Sequence, residues 1–111
     1  MSQYMLLLCD CGHFYNRSRD EQERIVTEFV EWARQLREQK RMVGGNPVAP
    51  TGRVVAMKGD QVTDTPYEPT PEMLGGYFLI EAEDYTDAVG VAKGCPGLKW
   101  GESVQVREIG H

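Results

Sequence analysis

Cysteine, histidine and long apolar stretches are all scarce in this chain. Three cysteines cannot all pair within one chain, and nothing marks an oxidising compartment, so reduced thiols and a cytoplasmic location are expected. The longest purely apolar run, residues 5–9, is five residues long. A bilayer-crossing helix needs roughly 20. No basic-then-apolar leader opens the sequence, so neither membrane insertion nor secretion is expected. Positive charge is also in short supply: 12 Lys and Arg stand against 17 Asp and Glu, a net charge of −5, and only Lys40-Arg41 forms a tight basic pair. A surface of that sign repels a phosphate backbone, which disfavours direct nucleic-acid binding.

What is present suffices for a core. The 111 residues are 41% hydrophobic and 26% charged, the composition of one globular domain spanning residues 1–111. Residues 4–9 are apolar and are broken off by Asp10 and Gly12, which predicts a strand covered on both faces. Ser18 precedes Glu21 by three residues, the spacing of a capping box, and apolar residues then recur at Ile25, Val26, Phe29, Val30, Ala33 and Leu36. An amphipathic helix to about Gln39 is expected. Gly44-Gly45-Asn46-Pro47 reads as a turn. Residues 53–58 and 61–63 read as a short, partly exposed hairpin about Gly59-Asp60.

Three prolines, Pro66, Pro69 and Pro71, remove backbone donors and exclude helix or central strand between Asp64 and Glu72, the principal loop. Residues 75–82 form a second strong strand that pairs with the first in the middle of a sheet. Asp84 caps a second helix over residues 85–93, with Gly94 and Pro96 as its stop. Residues 103–109 alternate like a half-buried closing strand. The order is the βαββαβ pattern of an α+β, ferredoxin-like fold, with two helices on one face of an antiparallel sheet. The other face carries apolar residues, so a symmetric homodimer, sheet on sheet, is expected.

Several segments form a recognisable ordered set: Tyr4-Met5-Leu6-Leu7, Gly44-Gly45, Val62-Thr63-Asp64-Thr65-Pro66-Tyr67-Glu68, Gly75-Gly76-Tyr77-Phe78-Leu79-Ile80, Gly94-Cys95-Pro96-Gly97-Leu98 and Val104-Gln105-Val106-Arg107. Over nearly its whole length the chain thereby resembles the YCII-related family, in particular the branch named for an Asp-Gly-Pro-Phe (DGPF) motif. Asp64-Thr65-Pro66-Tyr67 occupies the signature's place, with Thr65 for its glycine and Tyr67 for its phenylalanine. The resemblance implies a dimeric α+β barrel, with a few relatives acting as small-molecule lyases or dehydrochlorinases. Others are encoded beside or fused to extracytoplasmic-function sigma factors. The wider family is associated with a His/Asp pair. The helix position aligned with that histidine is Phe29 here, and the histidines of this chain are His13 and His111.

Four residues are candidate catalytic groups. Asp64 stands in the signature position beside the proline loop, where desolvation would fit it for a base; the alternative is a turn cap. Tyr67 supplies a hydroxyl to the same pocket or plugs it as an aromatic. Asp10 and His13 follow the first strand and form a proton-exchanging pair if the loop brings them together, or a solvated loop if it does not. Cys9-Asp10-Cys11-Gly12-His13 offers soft ligands, but its spacing is short for a structural site and a fourth ligand is not evident, so no metal is assigned.

The remaining ionisable and aromatic positions have plainer readings. Cys95 reads as packed, Trp32 as core, Glu28 as solvent-exposed and Glu81 as sharing a face with Tyr77 and Leu79. The pairs Gly44-Gly45 and Gly75-Gly76 lack phosphate-loop spacing and read as turns and close backbone approaches. Two functions follow. The first is a cofactor-free dimer binding a small organic molecule and catalysing an elimination or isomerisation with Asp64 as base. The second is a non-catalytic module for a partner such as a sigma factor, with the loop at residues 66–71 as its recognition surface.

Overall fold

Tyr4, Leu6 and Leu8 are buried while Met5 and Leu7 between them are only half-buried, the period-two signature of a strand with one face packed. A computed structural model describes residues 1–10, 14–68, 70 and 73–110. Its elements are β1 (Ser2–Cys9), α1 (Arg19–Glu38), β2 (Met42–Pro47), β3 (Arg53–Lys58), β4 (Gln61–Pro66), β5 (Leu74–Ala82), α2 (Tyr85–Ala92) and β6 (Ser103–Glu108), with 3₁₀ turns at Phe14–Asn16 and Pro96–Trp100. The main sheet runs β2-β5-β1-β6 and is antiparallel throughout; β3 and β4 pair separately. Without that hairpin the chain is the expected ferredoxin-like α+β unit, with β5 and β1 central.

Both helices start where their caps put them. Ser18 Oγ accepts the Glu21 N–H, and Asp84 Oδ1 accepts the Asp87 N–H. Both pack on the same sheet face, where Leu6 and Ile80 have no exposed surface and Trp32 stacks on Phe78 with ring centroids 4.7 Å apart. Burying a Leu or Ile of this kind stabilises the fold by roughly 1.5–3 kcal/mol. Arg41, at the exit of α1, donates to both carboxylate oxygens of Asp87 at 3.0 Å and ties the two helices' ends together.

Two local expectations are corrected. Gly44-Gly45-Asn46-Pro47 is not a turn; it belongs to the edge strand β2, with a bulge between Met42 and Gly44. Glycine is required there by proximity: a Cβ on Gly45 would lie 2.7 Å from the Tyr77 carbonyl oxygen. Pro47 is tolerated because edge strands leave donors unused. The hairpin, in turn, is no part of the main sheet. It turns at Gly59 (φ 60°), its strands pack chiefly on each other, and Asp64 falls inside β4 rather than in a loop. Val55, Met57 and Val62 share one of its faces and are each 68% exposed.

The helix-free face of the main sheet presents Met5, Leu7, Tyr77 and Leu79, all half-buried. The chain's shortest dimension is 18 Å, the thickness of one helix layer on one sheet. Gly45→Ala should destabilise the fold by about 1–3 kcal/mol, since its Cβ must displace strand backbone. Urea unfolding checks this, and an unchanged midpoint would show that β2 can shift freely.

Candidate functional site

Ile25, Phe29 and Ala33 of α1, flanked by the exposed Val26 and Val30, line a space that Gly45, Gly75 and Gly76, which have no side chains, line from the sheet. The result is an open cavity of about 530 Å³, within the range of small-molecule sites. Its walls are mainly apolar, including Leu8, Phe14, Met42, Pro47 and Phe78. A second depression of about 320 Å³ lies between α1 and α2, where Arg41 and Asp87 already neutralise each other.

The polar groups of the larger cavity are unevenly placed. Asp10 and Glu102 lie at the end marked by Phe14 and Tyr15, near the start of α1. Asp10 follows β1 directly and is 7% exposed; its N–H donates to the Met73 carbonyl at 2.9 Å and its Oδ2 accepts the Phe14 N–H at 3.4 Å. Gly75 makes room for it, because a Cβ there would stand 2.8 Å from the Asp10 Cβ.

Glu102 is brought in from the opposite side by the left-handed Gly101 (φ 94°), which ends the 3₁₀ turn and returns the chain so that the Glu102 N–H donates to Gly97 O. Its carboxyl lies where a Gly97 side chain would be: a Cβ there would be 2.6 Å from Oε2. Burial, followed by the negative charge of Asp10, pushes the Glu102 carboxyl up to about 7, with Arg17 opposing. A carboxyl that titrates near neutrality beside a buried carboxylate can donate and take back a proton at physiological pH.

The other sequence candidates fall elsewhere. His13 and Cys11 lie outside the described residues, as does His111. Asp64 stands on an exposed hairpin face and accepts two hydrogen bonds from Arg53. Tyr67 is half-buried against Gly52 at the hairpin base and does not line the cavity. Among the described residues no group of three or more His, Cys, Asp and Glu is placed to hold a metal ion.

Cys95 is buried and its thiol is pushed up to about 11, chiefly by that burial, so it stays protonated. Glu28, expected in solvent, instead accepts the Trp100 indole N–H at 2.8 Å and pairs with Lys99; that lysine holds its carboxyl below the ordinary range. Trp32 is in the core, and Glu81 shares the helix-free face with Tyr77 and Leu79.

A family model for the YCII-related domain matches residues 2–110. The chain belongs to the YCII-related family. Among curated proteins no match is found. In this YCII-related chain, Phe29 lines the cavity and its ring lies 6.2 Å from those of both Trp32 and Phe78, so that wall is aromatic.

The raised Glu102 value sets a pH dependence. The folded chain holds that proton more tightly than the unfolded chain, so the associated stability is full below the ordinary value of 4.5 and is lost as pH rises through about 7. Across that window the wild type should lose about 1–3 kcal/mol relative to Glu102→Gln, several degrees in Tm. Thermal melts of both proteins check this; parallel curves would mean that Glu102 titrates as a solvated carboxyl.

Proposed function

We propose that this YCII-related protein binds a small, largely apolar organic molecule in the cavity beneath α1 and moves a proton on it, without a cofactor, using Asp10 and Glu102. The observation that carries the reading is the meeting of a buried aspartate and a near-neutral glutamic acid at one end of an apolar cavity of about 530 Å³. Cofactor-free elimination or isomerisation needs a base to take a proton from carbon and an acid to return one, and two carboxyls at one end of the cavity, one of them pushed up to about 7, can divide those roles. In this reading the base is Asp10, which lines the cavity, rather than Asp64, which stands on the exposed hairpin face outside it.

Nile red, a neutral apolar probe, should bind one per chain. Val30→Trp should weaken that binding at least about tenfold, because Val30 lines the cavity yet is 62% exposed and accepts a larger side chain without core strain. Val62→Trp, on the hairpin, should leave it unchanged. Equal loss in both variants would refute the cavity as the binding site.

The working unit in this proposal is a homodimer joined through the helix-free sheet faces. Met5, Leu7, Tyr77 and Leu79 form the kind of contiguous apolar patch that soluble proteins cover. Sedimentation at micromolar concentration should give about twice 12.5 kDa, and Leu7→Lys should shift it to the monomer. A wild type that sediments as a monomer would end this proposal.

The second reading, a non-catalytic module for a protein partner such as a sigma factor, is favoured by one observation: the exposed apolar hairpin face of Val55, Met57 and Val62. An isolated two-stranded ribbon is marginal in water and gains from being covered.

A further inference from the structure

We propose that Arg37 is the anion-recognising group of the α1 cavity and that the ligand is an elongated apolar carboxylate, with its carboxylate on Arg37 and its far end at Asp10 and Glu102. The inference rests on the small-molecule reading above and adds to it the chemical class of the ligand.

The cavity follows the helix. Ile25, Val26, Phe29, Val30, Ala33 and Arg37 line it in succession, so it extends over a little more than three turns of α1, about 18 Å. The chain direction of α1 puts its first turns beside Phe14 and the carboxyl end, and its last turn beside Met42, so Arg37 stands at the opposite end from Asp10 and Glu102. Between those ends the lining is apolar or glycine except for Asn46, whose amide donates to the Tyr77 hydroxyl. A ligand that fills this space is therefore long and greasy, with one polar terminus for each end.

The guanidinium is available for such a terminus. Arg17, Arg34, Arg41 and Arg53 each pair with a carboxylate of this chain. The Arg37 side chain makes no ion pair or hydrogen bond with any described residue. One guanidinium offers one planar fork, which matches a singly charged carboxylate bidentately. A phosphate dianion would keep unmatched charge beside a protein of net charge −5. The same sign argument favours an uncharged or protonatable group at the far end, where Asp10 and Glu102 sit.

Calorimetric titration of the full chain with decanoate, decan-1-ol and decylamine tests this. Arg37→Gln is compared with Lys58→Gln, which removes the same charge from the hairpin turn, and circular dichroism verifies the fold of each. For wild type and Lys58→Gln, decanoate should bind at least about tenfold more tightly than decan-1-ol, the usual worth of a charge-assisted bidentate contact. Arg37→Gln should erase that advantage and leave decan-1-ol affinity unchanged. A decanoate advantage that survives Arg37→Gln, no advantage in the wild type, or decylamine as the tightest ligand overturns the assignment while binding of decan-1-ol leaves the cavity reading standing. If none of the three binds the folded protein, both are overturned.

Discussion

The close approach of strand backbones at Gly45, Gly75 and Gly76 is the constraint from which most of this protein's character follows. At Gly45 and Gly75 a single added carbon would collide, with the Tyr77 carbonyl oxygen in one case and the Asp10 side chain in the other. The absence of side chains lets β2 dock tightly on β5 and leaves room beside Leu8 and Phe78 beneath α1. Tight packing between strands and an open space between layers thus have one cause. A fold of this size ordinarily fills the gap between helix and sheet with interdigitating side chains. Here Trp32 and Leu36 of α1 do pack on the sheet, and the space opens only beside them, over the glycines.

The charges around that space are held with unequal firmness. At the carboxyl end, Asp10 is fixed by the Met73 and Phe14 backbone, and Glu102 by a left-handed glycine and the missing side chain of Gly97. Fixed geometry of this kind is what proton transfer requires, because donor and acceptor must be in place before the reaction begins. Arg37, on the last turn of α1, keeps the conformational freedom of an exposed side chain. In the proposed function one end is rigid and the other adaptable, so a ligand would be gripped loosely at Arg37 and held exactingly at the carboxyls.

Much of the fold was legible in the residues, because its elements are locally consistent. Ser18 and Asp84 announce both helices, and the two apolar runs at residues 4–9 and 75–82 became the central strands β1 and β5. Gly44-Gly45 misled because glycine next to proline is ordinarily turn chemistry; nothing within residues 44–47 reveals that Tyr77, thirty residues on, will press against the backbone. Of the proposed site, half was legible. Asp10 is conspicuous as a charge directly after an apolar strand. Glu102 is not, since its significance depends on Gly97 and Gly101 folding it back onto Asp10. Asp64 drew attention through its place in a motif, yet Arg53 across the hairpin claims its carboxylate.

β1 also has a consequence in time. Its two neighbours are β5 at residues 74–82 and β6 at residues 103–108, so neither of its edges finds its partner strand in residues 10–73. As the chain emerges during synthesis, this apolar segment is made well before either strand that pairs with it. Folding by such distant contacts is slow relative to local helix formation, and an unpaired apolar strand invites association with other chains meanwhile. Helix α1, which needs only its own residues to form, is the element able to shield β1 during that interval.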